Sequence, residues 1–275
     1  MTMYITVATV DRVVQASDRR ITWFKNGKPV RTDDGTNKAV IVDCQNGRFS
    51  VVYSGLAKIR GVSTESIIAD IFREINLKSP SPKILFDTFI EELSQQFRST
   101  GIYSKYKDIL RTNISIAGHI HTGDVFWLRI TNYNDKSGED IELQNEFKYY
   151  GRLIDSPSHK DKVKAAYIEI GGISDVHAKK YLGNKILRLR RSNYFHRTSG
   201  EAVANKLVEL IRAFSLRPES QDLVGKNCMT TVFNAPPATN HLFSYHDVGE
   251  DPIQYGPEFV FGDGGFSNFQ AGPVK

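Results

Sequence analysis

The first eighteen residues constrain this chain more than any other stretch. From Tyr4 onward, Tyr4, Thr6, Ala8 and Val10 fall on one side, and Ile5, Val7 and Thr9 on the other, which is the period of a β-strand. Asp11 and Arg12 can turn the chain. Residues 13–17 (Val-Val-Gln-Ala-Ser) then form a returning antiparallel strand, which brings Asp18 back beside Thr2. Thr2 directly follows Met1. If Met1 is removed, Thr2 carries a hydroxyl and a free α-amine on one residue. A nucleophile at the open end of a hairpin, opposite a carboxylate, is a place for chemistry.

The rest of the composition sets bounds. At 275 residues the chain can form one large domain or two small ones, and 40% hydrophobic residues suffice for a sizeable core. No run of about 18 apolar residues occurs and no basic-then-apolar leader is visible, so neither a membrane span nor a secretion signal is expected. Cys44 and Cys228 are the two cysteines, which suits a reducing cytoplasm better than a disulfide scaffold. The net charge of +5 permits an acidic partner without specifying one.

Along the chain, Asn26-Gly27 marks a short protruding hairpin or loop. Residues 39–42 and 49–53 read as strands. Residues 63–75 form an amphipathic helix that Ser63 or Thr64 can cap, with Ile67, Ile68, Ile71, Phe72 and Ile75 as its apolar stripe. Residues 85–97 form a second helix. Residues 113–118 and 124–130 predict a strand pair, 132–140 a polar loop, 147–151 a short strand and 165–170 another. Residues 175–189 and 202–214 predict two more helices, the latter behind a capping box at Thr198-Ser199-Gly200-Glu201. Strands at 228–233 and 241–245 follow. Two sheets that each need cover on one face would stack with helices outside. The expected fold is therefore α+β: a four-layer α-β-β-α sandwich of two mainly antiparallel sheets. Residues 1–246 form one domain, and residues 247–275 an extended tail lying on the body or on a neighbouring subunit.

Four segments in order carry a resemblance: Thr2, residues 11–22 (Asp-Arg-Val-Val-Gln-Ala-Ser-Asp-Arg-Arg-Ile-Thr), residues 36–42 around Lys38, and residues 53–57 (Tyr-Ser-Gly-Leu-Ala). The set resembles the N-terminal half of a proteasome β-type subunit, in the N-terminal-nucleophile hydrolase superfamily. The sixteen-residue step from Thr2 to Asp18 equals the family's step. Gly171-Gly172 with Ser174 partly resembles the family's Gly-Ser-Gly-Ser segment. Asp222 fits a family Asp before a strand, but Gly225 stands where the family has Ser. Arg12 replaces the usual turn glycine, and the loop over residues 23–37 is longer than usual.

The resemblance implies a catalytic set of Thr2, Asp18, Lys38, Gly55, Ser174 and Asp222. Thr2 would supply the nucleophile and, through an α-amine of pKa about 7.7–8.0, its own base. Lys38 would favour the neutral amine and a developing alkoxide, Asp18 would hold Lys38, and the Gly55 N–H could face the oxyanion. Thr22 and Ala57 would hold an extended substrate backbone by strand-like pairing, and Ile21 and Tyr53 would line a side-chain pocket, apolar if Tyr53 dominates it.

Each assignment has a plainer competitor. Asp18 and Lys38 could be a structural ion pair in an inactive relative, Ser174 a helix cap, and Asp222 a turn cap. His119 and His121 alternate on one strand face as a metal pair would, but without a third ligand they read as exposed strand histidines. Lys179, Lys180, Lys185, Arg188, Arg190 and Arg191 read as a solvated helix face rather than a nucleic-acid site. No cofactor or metal is implied. The functional expectation is a threonine hydrolase of peptide bonds in a homo-oligomer, a ring being one such form, with an activating partner left open. A small-amide amidohydrolase and a silent assembly subunit are the alternatives.

Overall fold

The computed structural model describes residues 3–25, 28–44, 47–59, 61–76, 82–99, 111–120, 124–135, 141–154, 166–172, 176–220, 223–235, 241–248, 258–261 and 269–271. Strand β1 (Tyr4–Ala8) pairs antiparallel with β2 (Arg12–Asp18), with Tyr4 opposite Ser17 and Val7 opposite Val14. The Thr9 N–H closes the turn by donating to the Arg12 carbonyl at 2.8 Å. At the open end the Asp18 N–H donates to the Met3 carbonyl at 3.0 Å, so the hairpin stays paired to its last residue.

A second hairpin follows, β3 (Ile21–Lys25) with β4 (Lys28–Asp33), bulged between Trp23 and Phe24. Then come β5 (Ala39–Cys44), β6 (Gly47–Ser54) and a small hairpin of β7 (Lys58–Ile59) and β8 (Val62–Ser63). Helix α1 (Thr64–Asn76) starts on Ser63, whose hydroxyl accepts the Ser66 N–H at 3.2 Å, and α2 (Pro82–Ser99) follows. Strand β9 (Asn113–Ile120) precedes β10 (Val125–Asp135) and β11 (Ile141–Ile154).

The β10–β11 pair differs from the sequence expectation. Residues 132–135, expected in a loop, continue β10, and β11 is far longer than a strand over 147–151. A bulge between Thr131 and Tyr133 shifts the register, and pairing resumes with Tyr133 opposite Leu143. Ladder hydrogen bonds do not depend on side-chain polarity, so β10 can continue through Asn and Asp while it pairs with β11.

Strand β12 (Tyr167–Gly171) leads to α3 (Val176–Arg191), a one-turn α4 (Tyr194–Arg197) and α5 (Gly200–Ser215). Asn193 at φ 55° breaks α3 from α4. The cap of α5 is Ser199, one residue later than expected, accepting the Ala202 N–H at 3.3 Å. Strands β13 (Cys228–Asn234), β14 (His241–His246), β15 (Glu258–Phe261) and β16 (Phe269–Ala271) complete the order.

The strands form two six-stranded sheets, β12-β1-β2-β13-β14-β16 and β11-β10-β9-β6-β5-β15. The C-terminal segment contributes to both. β15 lies parallel to β5 at one edge, and β16 parallel to β14 at an edge of the other sheet.

Three apolar clusters follow from the alternation. One joins the second sheet to α1 and α2, with Phe49 in edge contact with Phe72, Phe86 and Phe126 at 5.4–5.7 Å. Such pairs add about 0.5–1.5 kcal/mol each beyond area burial. A second joins the first sheet to α3, α4 and α5. The third draws on both sheets, including Tyr4, Val13, Met229, Ile41, Val52 and Trp127. Beside the third lies a polar layer. The Ser50 hydroxyl bonds Gln15 and Thr231, and the Glu169 carboxylate accepts from Tyr4, Ser115 and Trp127. These bonds satisfy groups whose burial would otherwise be costly.

Candidate active site

The site gathers where β2 ends. Asp18 is fully buried, and its carboxylate is the point on which several backbone segments converge. Oδ2 accepts the Met3 N–H, while Oδ1 accepts the Arg20 N–H at 2.8 Å and the Gly225 N–H at 3.4 Å. Lys38, immediately before β5, donates its Nζ to Asp18 Oδ1 at 3.3 Å and to the Arg20 carbonyl. The Lys38 side chain is 1% exposed. Burial lowers the Lys38 pKa, and the Asp18 charge acts against that fall.

Gly225 occupies the position where the family resemblance leads one to expect Ser. A Cβ there would come within 2.8 Å of the Arg20 Cβ and 3.0 Å of Asp34 Oδ1. Arg20 and Asp34 form a two-bond ion pair, with Arg20 Nη2 2.7 Å from Asp34 Oδ2. The pair thus fills the room a serine side chain would need. The neighbouring Arg19 side chain is 1% exposed, donates from Nη1 to both Asp247 oxygens at 2.6 Å, and lies 4.5 Å from the Tyr245 ring centroid.

Gly55, just after β6, has φ +115°, and a Cβ there would meet the Arg111 carbonyl oxygen at 2.3 Å. Only glycine fits this close approach. Tyr53 lies two residues earlier, 1% exposed, and donates its hydroxyl to Glu65 Oε2 at 2.6 Å. Its ring belongs to the cluster with α1 and α2. Burial raises its pKa well above the usual phenol value, and the Glu65 charge adds to the rise. Ile21 is 8% exposed at the start of β3. The Thr22 Oγ1 is buried without a hydrogen-bond partner among the described residues. The Ala57 carbonyl accepts the Thr64 N–H at 3.0 Å, which ties the β7–β8 insertion to the start of α1.

Asp18 and Lys38 are thus brought into contact, with Arg20 beside them. Thr2, Ser174 and Asp222 lie outside the described residues, as does His121. His119 corrects the expectation of an exposed strand histidine. It is 4% exposed, and its Nε2 lies 3.1 Å from the Phe233 carbonyl oxygen. No cluster of three metal-ligating side chains occurs among the described residues. Lys180, Arg188, Arg190 and Arg191 are exposed on α3. Two residues escaped sequence reasoning. Asp34 sits in the long loop and left no signal. Glu65 stood in the first turn of a helix, where a carboxylate is ordinary.

No known family profile matches the chain, and no curated protein does. Solved structures do. An Anbu (ancestral beta-subunit) from Yersinia bercovieri is 12% identical, with a TM-score of 0.51, over 85% of this chain and 82% of that one. An Anbu mutant from Hyphomicrobium sp. strain MC1 is 14% identical, with a TM-score of 0.53, over 86% and 82%. At this identity the likeness is one of fold alone, the proteasome-like fold of these Anbu structures.

Proposed function

We propose that this chain is a proteasome-like subunit whose Thr2, after removal of Met1, hydrolyses amide bonds of peptides. The observation that carries this reading is the Met3 N–H, peptide-bonded to Thr2, donating to Asp18, the carboxylate that also receives Lys38. The Thr2 hydroxyl attacks the substrate carbonyl carbon while its α-amine, through a water, takes the hydroxyl proton. The C–N bond then breaks, the amine leaves with that proton, and water hydrolyses the resulting ester. The Lys38 charge favours the unprotonated amine and the developing alkoxide, and Asp18 holds Lys38 in place.

The Gly55 N–H faces the oxyanion in this reading, at a position where the chain passes closely enough to exclude a side chain. Thr22 and Ala57 flank an extended substrate, and the Thr22 hydroxyl, without a partner among the described residues, has a hydrogen bond to give. Ile21 and Tyr53 line the side-chain pocket, and Ser174 and Asp222 support Thr2. The architecture in this reading is the four-layer α-β-β-α sandwich, supported by one apolar cluster per helix layer and one shared by the sheets. Residues 1–246 make its body, and the C-terminal segment lies on that body, adding β15 and β16 as edge strands. A homo-oligomer is part of the proposal, since the Yersinia bercovieri protein of similar fold is described as an ancestral beta-subunit. No helix among the described residues is long and apolar enough to cross a membrane. A reducing, cytoplasmic setting agrees with two free, buried cysteines.

The test is Thr2→Ala. The variant keeps the folded state, read by circular dichroism, and loses amide hydrolysis across a fluorogenic peptide panel. Hydrolysis persisting in Thr2→Ala contradicts the proposal.

A further inference from the structure

The positive charge of this chain is concentrated in one stretch. Residues 176–197, which make α3 and α4, hold seven lysines and arginines and no aspartate or glutamate. The whole chain carries +5, so everything outside that stretch carries a net −2. Packing decides which way the charge faces. Leu182 and Ile186 are buried in the cluster shared with α5 and the first sheet, so the opposite face of α3 meets solvent. Lys180, Asn184, Leu187, Arg188 and Arg191 share that face by helical spacing, and all five are exposed. Arg190 is exposed beside them, and Arg197 is exposed on α4, just past the Asn193 break.

By residue type alone these cations read as a solvated face, and cations in the last turn of a helix also complement its dipole. Two structural facts go further. Lys180 and Arg197 stand outside the last turn of α3, so its dipole does not account for them. Among the described residues, moreover, none of Lys180, Arg188, Arg190, Arg191 and Arg197 forms an ion pair, whereas Arg73, Arg98, Lys206 and Arg217, also at the surface, each meet a carboxylate. Like charges held together without counter-ions repel, and an anionic partner relieves the repulsion. Leu187, 39% exposed, is the only exposed large apolar side chain among the described residues of α3. The face therefore lacks the apolar core that a protein partner buries and the bulky apolar stripe that a membrane takes up. Phosphates need neither, and the arginine fork binds their oxygens in pairs. Lys180 to Arg191 spans about 16 Å at 1.5 Å per residue, the length of about five phosphates along one strand of a duplex.

We infer that the exposed face of α3 and α4 binds the phosphate backbone of a nucleic acid through Lys180, Arg188, Arg190, Arg191 and Arg197, without reading its sequence. Contacts of this kind act by releasing counter-ions, so affinity falls steeply with salt and is indifferent to base order. The inference is independent of the hydrolytic reading and makes no use of Thr2.

The test is fluorescence anisotropy of the full chain with a labelled, mixed-sequence DNA duplex of about 20 base pairs, across a salt series. Binding is expected, with log K falling linearly in log salt at a slope of about −4, as five phosphate contacts give. Arg188→Gln/Arg191→Gln makes the slope shallower by about 2 and weakens binding about 10-fold or more at about 0.1 M salt. Lys83→Gln/Arg98→Gln removes the same charge from exposed positions of α2, on the other sheet, and leaves binding unchanged. An unchanged thermal unfolding midpoint shows that both variants fold. No binding by the native protein, an affinity insensitive to salt, or an equal effect of the two double substitutions each overturns the inference. So does equal affinity for polyglutamate of the same charge, which would make the partner an acidic protein.

Discussion

Lys38 Nζ lies 3.3 Å from Asp18 Oδ1, and neither side chain reaches solvent. Three backbone N–H groups complete the coordination of the carboxylate, from Met3, Arg20 and Gly225. They come from the chain start, the loop after β2 and the approach to β13, so one carboxylate ties together the segments that build the site.

Removing one partner of a buried pair leaves an uncompensated charge. Lys38→Ala is therefore expected to cost about 3–5 kcal/mol of stability and to abolish amide hydrolysis. Denaturant unfolding and a peptide assay on the folded fraction check both. A loss of activity without a loss of stability would mean that the pair contributes little to the fold.

Restoring the family's serine at Gly225 is expected to harm rather than help. The new Cβ would press on the Arg20 Cβ and on Asp34, and overpacking of this kind costs about 1–3 kcal/mol. Gly225→Ser should lower the unfolding midpoint and leave turnover no higher. A faster, equally stable variant would show that the Arg20–Asp34 pair yields its space freely.

The C-terminal segment is anchored through Asp247, which neutralises the buried Arg19. Asp247→Ala should destabilise the protein on the order of 3 kcal/mol, the lower end for a buried pair because Asp247 is 17% exposed. Limited proteolysis should cut the variant first beyond residue 246.

Acid should loosen the structure through histidines buried in the neutral form. Burial, with the Arg48 charge next, holds His241 at about 4, and burial with Arg212 holds His246 at about 4. Burial lowers His119 as well. Unfolded, these groups bind protons near pH 6.5. Their contribution is complete above about pH 6.5 and is lost as pH falls toward about 4. Thermal unfolding across that window should show a falling midpoint, with a shallower fall in His241→Gln/His246→Gln. A flat profile would contradict the assignment.

The first hairpin was legible because the alternation of residues 4–17 leaves one register that buries both apolar faces. The helices at 64–76 and 200–215 were legible from their apolar stripes, to within a residue at the Ser199 cap. What stayed hidden depends on distant chain. β15 and β16 form because open sheet edges accept parallel strands, a partnership that no local period announces. Asp18 and Lys38 were readable as a pair from residue type and the resemblance. The Tyr53–Glu65 bond was not, since it joins a strand to a helix that local patterning treats as separate.

The proposed chemistry requires a free Thr2. The most direct measurement is the intact mass of the native protein, with sequencing of its N-terminus. The expected result is a chain that begins at Thr2, with its hydroxyl and α-amine both free to meet substrate. A native, fully assembled protein that still begins at Met1 would contradict it, because an acylated Thr2 nitrogen cannot act as the base.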